Sequence, residues 1–377
     1  MVIRNGLVFG EDCRFHKADL VYEGEHIRHI VPAGTAAGEG IDAEGAYVMP
    51  GFVDIHTHGC VNSDFCDADG AGLARMLEYY GSQGVTSVVP ATMSFNQPIL
   101  EDVIQAALPF FDEDGHGAVL RGINMEGPFI NTEKRGAQNP EYIVDPAVEM
   151  FEALQALAGG RVKLVDIAPE LPGSIEFIRR VAGQCVVSLA HTNATYDEAL
   201  AAFAAGARHV THMFNAMPPF GHRAPGVVGA ASDMASFVEI VSDGIHLHPS
   251  VVRATFRWFG EERVCLVSDS MRGTGMPDGE YDLGGQMVKL QGNKATLVDG
   301  GAIAGSATNL ADCCRCAVRF GVPIEQAVRA AATNPAVAVG LGTQVGSLAP
   351  GRRADILLWD AQLATKGVII GGRRVVG

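Results

Sequence analysis

The stretch YVMPGFVDIHTHGC, residues 47–60, is an apolar run of strand type that ends in two histidines, His56 and His58. In a β-strand, residues two apart point to the same face, so both imidazoles project in one direction. Two imidazoles on one face can bind a single metal ion. An isolated pair of this spacing fits two hydrogen-bonded structural histidines equally well, so the rest of the chain has to decide.

Seven further apolar runs of strand length follow this stretch and alternate with helical patterns. They are GVTSVVPATM, VLRGINMEGPF, VKLVDIAPE, CVVSLAHTN, ARHVTHMFNAM, FVEIVSDGIHLHP and RVCLVSDS. The segments between them, such as YDEALAAFAAG, space their apolar residues by three and four, which is typical of amphipathic helices. Eight strands alternating with helices predict an α/β protein with a closed TIM-type (β/α)8 barrel.

The two ends of the chain have a different pattern, with short alternating strands and turns such as IRNGLVFG and ADILLWD. This texture is typical of β-rich segments outside a barrel. We predict that residues 1–48 and 343–377 pair into a small β-sandwich domain. Residues 49–342 then form the barrel.

Charge and composition exclude several classes of protein. The chain has 377 residues, a formal net charge of -15 and 47% hydrophobic residues, which is ample for a large core. A basic surface for nucleic acid or an anionic membrane is not expected. We predict a cytoplasmic location, because neither a signal peptide nor an apolar run long enough to cross a membrane is recognisable. The eight scattered cysteines are predicted to be reduced, and the CCRC run at residues 313–316 to pack inside a helix.

Titratable side chains lie at the carboxyl ends of six of the eight predicted strands, the face on which such barrels build their active sites. They are His56, His58, Glu126, His191, His212, His246 and Asp269. Imidazole and carboxylate ligands suit zinc, iron or manganese, and a carboxylate can bridge two ions. The joint pattern therefore predicts a metal centre at the barrel mouth.

The remaining histidines are predicted to be structural or solvated. Strand parity directs His209 to the face opposite His212. His16, His26 and His29 lie in the terminal domain and His116 lies in a loop. For His222 and His248 the sequence does not decide between a structural and a functional role.

Several segments together resemble the N-acetylglucosamine-6-phosphate deacetylases of the amidohydrolase superfamily. They are PGFVDIHTHG, MEGPFI, LAHTNAT, THMFNAMPPFGHRAPG, VSDGIHLHP and LVSDSMRGTGMPDGEYDLGG. The HxH pair alone indicates only the superfamily, whereas the EGP, HTNAT and FNAMPPF…RAPG blocks are typical of the deacetylases.

The resemblance implies a metal centre and a catalytic residue. Glu126, His191 and His212 would hold the principal ion, and His56 and His58 would complete a second site bridged by Glu126. The ion is expected to be divalent, zinc before iron, manganese or cobalt, with one or two ions per subunit. Asp269 would be the catalytic acid and base.

The resemblance also implies how the sugar phosphate is bound. Asn215, Ala216, Arg223 and His246 match substrate-binding positions, and Arg223 would reach the neighbouring subunit of a homodimer. Gln138 occupies a position where better-known members carry a substrate-contacting histidine, and a glutamine can still donate and accept hydrogen bonds.

The predicted reaction is metal-dependent hydrolysis of N-acetylglucosamine 6-phosphate to glucosamine 6-phosphate and acetate. Deacetylation of N-acetylgalactosamine 6-phosphate stays open, because that sugar differs at one hydroxyl. A non-catalytic sugar-phosphate sensor would be expected to have lost Asp269 or a metal ligand, and neither is missing. Cyclic-amide hydrolases with a carboxylated lysine ending the fourth strand are disfavoured, because Lys163 begins that strand.

Overall fold

The computed structural model describes residues 1–115, 117–234 and 236–377, so His116 lies outside the described residues. The strands, in chain order, are β1 (Val2–Phe9), β2 (Phe15–Glu23), β3 (His26–Pro32), β4 (Gly40–Asp42), β5 (Tyr47–Pro50), β6 (Phe52–Asp54), β7 (Gly59–Cys60), β8 (Ser63–Asp64), β9 (Val85–Val88), β10 (Val119–Leu120), β11 (Ile123–Met125), β12 (Val162–Ile167), β13 (Val186–Leu189), β14 (His209–Val210), β15 (Phe237–Ile240), β16 (Val264–Leu266), β17 (Gly279–Leu283), β18 (Gln286–Gln291), β19 (Lys294–Leu297), β20 (Ile356–Trp359), β21 (Thr365–Ile370) and β22 (Arg373–Val376).

The α-helices lie mostly between the strands of the central region. They are α1 (Gly70–Ser82), α2 (Gln97–Ala107), α3 (Val148–Leu157), α4 (Ser174–Val181), α5 (Tyr196–Ala205), α6 (Gly226–Asp233), α7 (Pro249–Phe259), α8 (Leu310–Arg319), α9 (Ile324–Val328) and α10 (Asn334–Ala338), with a π-helical turn at Arg329–Thr333. None of the described helices combines the length and the apolar composition needed to cross a bilayer.

Strands from both ends of the chain share one sheet, in the order β22-β21-β20-β5-β1-β2-β3, with β4 also paired to β1. β20 runs antiparallel to β5, with Ile356 opposite Pro50 and Trp359 opposite Tyr47. The chain leaves this sheet at Gly51, where an added Cβ would lie 2.1 Å from Cγ2 of Thr86. Glycine therefore allows the junction between β5 and β6 to approach β9 closely.

The central strands are parallel and carry the polar residues of interest just beyond their carboxyl ends. β9 pairs with β6 and β10, and β11 to β16 form a six-stranded parallel sheet in sequence order. A parallel bridge between Ala91 and Asn124 links the two groups. The segment after β16 also meets the segment after β6, since Asp269 N donates to His56 O at 2.8 Å and His58 N donates to Ser270 O at 2.7 Å.

The third predicted strand, VLRGINMEGPF, is two short strands in the structure. β10 pairs with β9, whereas β11 pairs with β12, and the chain changes partner at Arg121 and Gly122. A Cβ on Gly122 would lie 2.7 Å from the carbonyl oxygen of Arg161. The close approach of two backbones, which periodicity does not reveal, thus divides the strand.

An antiparallel sheet of β17, β18 and β19 interrupts the alternation after the eighth central strand. Its Leu283 and Val288 form a small core with Met93 and Met271. This sheet was not predicted, and it places one wall beside the carboxyl ends of the central strands.

The helices bury apolar faces on the central strands. In α1, Leu73, Met76, Leu77 and Tyr80 are buried, at the spacing of three and four that an amphipathic helix requires. In α8, Cys313 and Cys314 are buried and Cys316 is half-buried, so two of the three cysteines of the CCRC run pack inside as predicted. All eight cysteines are described, and each has a free thiol.

Candidate active site

His56 and His58 lie just beyond β6 and are buried. Their Nε2 atoms approach Glu126, with His56 3.5 Å from Oε1 and His58 3.4 Å from Oε2. Both rings therefore meet the same carboxylate, as the sequence predicted, although they lie in the segment that follows the strand.

His191 and His212 form the second pair, beyond β13 and β14. Their Nε2 atoms lie 3.1 Å apart, and they lie 3.0 Å and 3.2 Å from Oε1 of Glu126. Both residues have positive φ angles, 44° and 25°. Such angles are strained for non-glycine residues and occur where the surrounding structure holds them, often at functional sites.

Glu126 follows β11 and lies between the two histidine pairs with 3% of its surface exposed. Burial raises the pKa of this carboxyl, but the charge of His56 and the hydrogen bonds with His191 and His212 outweigh it and hold the pKa well below its usual range. Glu126 is thus an anion surrounded by imidazoles.

The donor set fits a divalent metal ion. Two groups of side chains each converge closely enough to share one ion. The first is His56, His58 and Glu126, and the second is Glu126, His191 and His212. Four ligands at 2.0–2.1 Å around zinc would be about 3.3 Å from one another. The separations of 3.0–3.2 Å around Oε1 of Glu126 come close to that value. Buried Nε2 of His56 has no hydrogen-bond partner among the described residues, as expected of a ligand atom.

Hydrogen bonds at the other ring nitrogens orient two of these histidines. His191 Nδ1 donates to the carbonyl oxygen of Lys134 at 2.8 Å, and His56 Nδ1 donates to Oε2 of Glu239 at 2.9 Å. A proton on Nδ1 leaves the Nε2 lone pair free for a metal ion.

Asp269 follows β16 and faces the first histidine pair. Its Oδ1 lies 3.3 Å from Nε2 of His58 and 3.9 Å from Nε2 of His56. Burial raises the pKa of Asp269, but the hydrogen bond with His58 and the charges of His56 and His58 lower it to about 2. The side chain is therefore ionised and able to accept a proton.

Glu239 was missed by the sequence analysis. It is fully buried in β15, accepts from His56 Nδ1, and accepts from the backbone N–H of His212 at 3.2 Å. One carboxylate thus fixes one member of each histidine pair. The sequence did contain a signal for Glu239, because an acidic residue inside the apolar run FVEI must be buried and therefore needs a hydrogen-bonding partner.

The structural role predicted for His209 agrees with its burial, whereas its predicted direction, away from the face of His212, is wrong. The side chain is buried inside the central sheet, with Nδ1 2.9 Å from Ser188 Oγ and Nε2 3.8 Å from Glu239 Oε1. Strand parity fails here because β14 ends at Val210 and the positive φ of His212 breaks the alternation. Of the two histidines left open, His248 caps α7 and His222 is exposed.

A cavity of about 300 Å³ opens above these residues. Most of the predicted site residues line it, namely His58, Glu126, Gln138, His191, His212, Asn215, Ala216, His246 and Asp269. Arg223 is exposed and lies outside the lining residues of the described cavity. Ile303 and Leu283 belong to the wall that the antiparallel sheet and the loop after it contribute.

Two basic side chains, His246 and Lys134, line the cavity beside the acidic ones. Burial lowers the pKa of His246, but the hydrogen bond and charge of Asp243, 2.8 Å from Nδ1, outweigh this effect and raise it. Lys134 lines the same cavity and was missed by the sequence analysis. The signal for it was the basic pair in EKRGAQNP, which follows the EGPF block.

Parallel strands that bring histidines and acidic side chains together at their carboxyl ends define a class of metal-dependent hydrolases. Residues 47–375 match the Amidohydrolase family. An N-acetylglucosamine-6-phosphate deacetylase of Lysinibacillus sphaericus is 32% identical over 377 residues, covering 99% of this chain and 97% of that protein. An N-acetylgalactosamine-6-phosphate deacetylase of Escherichia coli O157:H7 is also 32% identical, covering 88% of each chain.

The structural comparison agrees with the sequence comparison. A mutant N-acetyl-D-glucosamine-6-phosphate deacetylase from Mycobacterium smegmatis, solved in complex with N-acetyl-D-glucosamine-6-phosphate, superposes with a TM-score of 0.94 at 31% identity, covering 100% of this chain and 99% of that one. The chain belongs to the amidohydrolase family and, within it, to the N-acetylglucosamine-6-phosphate deacetylases. The resemblance inferred from the motifs is thereby confirmed.

Proposed function

We propose that this enzyme hydrolyses the N-acetyl amide of N-acetylglucosamine 6-phosphate to glucosamine 6-phosphate and acetate. The observation that carries the proposal is the convergence, in one cavity, of Glu126 Oε1 on two imidazole nitrogens with Asp269 beside them. Relatives with this named activity match nearly the whole chain, which supports the same assignment.

The proposed metal ligands are those given by the two converging groups. Glu126, His191 and His212 would hold the principal ion, and His56 and His58 with Glu126 a second one. Imidazole and carboxylate donors favour zinc, and they also suit iron, manganese and cobalt. A bound divalent ion would lower the pKa of a water molecule and polarise the acetyl carbonyl oxygen.

Asp269 is the proposed general base and acid. Its ionised carboxylate lines the cavity next to the first histidine pair, 3.3 Å from Nε2 of His58. Oδ1 would accept a proton from the attacking water and then deliver it to the amine nitrogen as the amide bond breaks.

The proposed substrate subsite lies at the outer part of the cavity. Asn215, Ala216 and His246 line it. The raised pKa of His246 favours its cationic form, which suits a phosphate. Arg223 would reach the cavity of the other subunit of a homodimer, and its exposure on its own subunit supports this arrangement.

We further propose a closed (β/α)8 barrel of residues 49–342 with a small β-sandwich domain of residues 1–48 and 343–377. The hydrogen bonds between the segments after β16 and β6 support barrel closure, and the shared terminal sheet supports the domain. A cytoplasmic location is proposed because all eight cysteines have free thiols.

The galacto epimer remains a second candidate substrate, because the relative of Escherichia coli O157:H7 that acts on it is 32% identical. Acetate release should be assayed on both 6-phosphorylated N-acetyl sugars and on unphosphorylated N-acetylglucosamine, with metal content measured on the same sample. Fastest release from the gluco substrate is expected. Faster release from the galacto substrate would establish the alternative, and a metal-loaded protein that releases acetate from none of them would contradict the proposal.

A further inference from the structure

Gln138 is bound at both ends of its side-chain amide by groups of the protein. Its Oε1 accepts the backbone N–H of Ser94 at 2.6 Å, and its Nε2 donates to Oε2 of Glu126 at 2.7 Å. A backbone N–H is only a donor, so this contact determines which end of the amide carries the oxygen. The NH2 group must therefore face Glu126.

The amide has little capacity left for a ligand. Nε2 also lies 3.7 Å from Sδ of Met93, and only 3% of the residue is exposed. Two residues before Ser94, the backbone N–H of Thr92 donates to the carbonyl oxygen of Asn124 at 2.9 Å, which attaches this segment to the strand that leads to Glu126. Gln138 thus connects a rigid segment after β9 to the carboxylate after β11.

The orientation of Glu126 decides which histidines each of its oxygens faces. Oε1 lies within 3.2 Å of Nε2 of His191 and His212 and 3.5 Å from Nε2 of His56, whereas Oε2 lies 3.4 Å from Nε2 of His58. The terminal torsion of a glutamate is broad and roughly two-fold, so packing alone does not fix the carboxylate plane. The donor from Gln138 supplies that restraint at Oε2.

We infer that Gln138 is a positioning residue that holds the carboxylate plane of Glu126, so that Oε1 faces His56, His191 and His212 while Oε2 faces His58. This inference rests on the metal centre of the proposed function. It assigns Gln138 a role through Glu126 in place of the direct substrate contact that the family resemblance implies. Hydrogen bonds to ligating side chains commonly change metal affinity by about 10- to 100-fold when they are removed.

The test compares Gln138→Met with a matched control, Gln155→Met. Gln155 is similarly buried, and its amide exchanges hydrogen bonds with the backbone of Val162 at 3.1 Å and 2.9 Å, outside the cavity-lining residues. Full-length wild type and both variants are stripped with a chelator and titrated with Co²⁺, following the visible absorption of the bound ion, with equivalents counted after dialysis. Thermal melting of the stripped proteins measures the loss of structure separately.

Gln138→Met should bind Co²⁺ about 10- to 100-fold more weakly than wild type, with Gln155→Met unchanged. Unchanged Co²⁺ affinity in Gln138→Met, with a raised KM for the substrate, would restore the direct-contact role and overturn the inference. If Gln155→Met bound Co²⁺ as weakly as Gln138→Met, the loss of affinity would be due to general destabilisation, and the inference would also be overturned. If Gln138→Met does not fold, Gln138→Leu is the second variant with the same expectation. Because Co²⁺ binding is measured without substrate, a wrong substrate assignment would leave this result standing.

Discussion

Asp269 lines the cavity beside His56 and His58 and belongs to neither of the described metal-ligand groups. Replacing it by asparagine keeps the size of the side chain but removes the proton acceptor. We expect Asp269→Asn to fold and to bind metal, with kcat lower by about 10²- to 10⁴-fold. Steady-state kinetics with metal content on the same sample measure both properties. A variant that retains a tenth of wild-type kcat would exclude Asp269 from the mechanism.

The first histidine pair determines whether one or two ions bind. Wild-type protein loaded with Zn²⁺ should hold about two equivalents per subunit, and the double variant His56→Gln, His58→Asn about one. The principal group of Glu126, His191 and His212 is intact in that variant, so part of the activity should remain. Metal analysis after dialysis gives the stoichiometry. Identical values for both proteins would mean that the pair only supports its neighbours.

At the scale of the element, several strands end in the same manner. His191, His212 and Asp269 each follow a parallel strand and have φ angles of 44°, 25° and 49°. A turn of this type directs the side chain across the carboxyl end of the sheet, where an extended residue would continue along it. The strain is held by packing around the site.

Helix α5 begins directly after the loop that carries His191, and the cap at its first turn can be tested without changing a residue of the site. Thr195 caps it, with Oγ1 accepting from Glu198 N at 3.3 Å and Thr195 N donating to Oε2 of Glu198 at 2.8 Å. Thr195→Ala should lower the free energy of unfolding by about 0.5–2 kcal/mol, because one helix N–H loses its acceptor. Thr195→Ser keeps the cap and is the control. Denaturant unfolding measures the effect, and equal stability of the two variants would show that the cap contributes nothing.

At the scale of the whole molecule, Trp359 joins the terminal sheet to the central strands. It is fully buried in β20, packs edge-to-face on Phe52 of β6 with ring centroids 5.4 Å apart, and lies under the guanidinium of Arg315 in α8 at 4.6 Å. The contact spans three elements that are distant in the sequence. Through this contact the terminal sheet and the central region stabilise each other.

Trp359→Ala should therefore destabilise the protein by about 3–5 kcal/mol, through lost burial and the cavity left behind. The chain has one other tryptophan, Trp258, which is 47% exposed and contacts Phe220. Trp258→Ala is the matched control and should cost no more than about 1.5 kcal/mol. Chemical denaturation of both variants measures the difference. Equal losses would show that the terminal sheet adds no stability through this contact.

Arg223 is the proposed phosphate-binding residue that one subunit contributes to the cavity of the other. A charge-assisted hydrogen bond contributes about 1.5–3 kcal/mol, so Arg223→Ala should lower kcat/KM for the 6-phosphorylated sugar by roughly 10- to 150-fold. The slow rate on the unphosphorylated sugar should barely change, since that sugar offers the guanidinium no partner. Equal proportional losses on both sugars would remove the phosphate assignment.

Mixing subunits tests the same residue in the dimer. If Arg223 acts in the partner's cavity, heterodimers of Asp269→Asn and Arg223→Ala subunits should recover activity, because one site then holds both intact residues. Mixtures that stay as inactive as the two variants alone would assign Arg223 to its own subunit.

The sequence by itself determined the features that depend on neighbours along the chain. The spacing of His56 and His58, the alternation of strands and helices, and the order of the motifs predicted the α/β class, the family and the metal-ligand set before any coordinates. These are local patterns of burial and chemistry, which side-chain periodicity records directly. The comparisons confirm the family, and the structure brings the predicted ligands together.

Only the tertiary structure decided which side chains meet across separate elements. The division of the third strand at Gly122, the inward direction of His209, the support of both histidine pairs by Glu239 and the two-ended binding of Gln138 were not predicted. Each depends on a close backbone approach, a positive φ angle or a hydrogen bond between residues far apart in the chain. Periodicity carries no information on such contacts, because they are fixed by the packing of whole elements against one another.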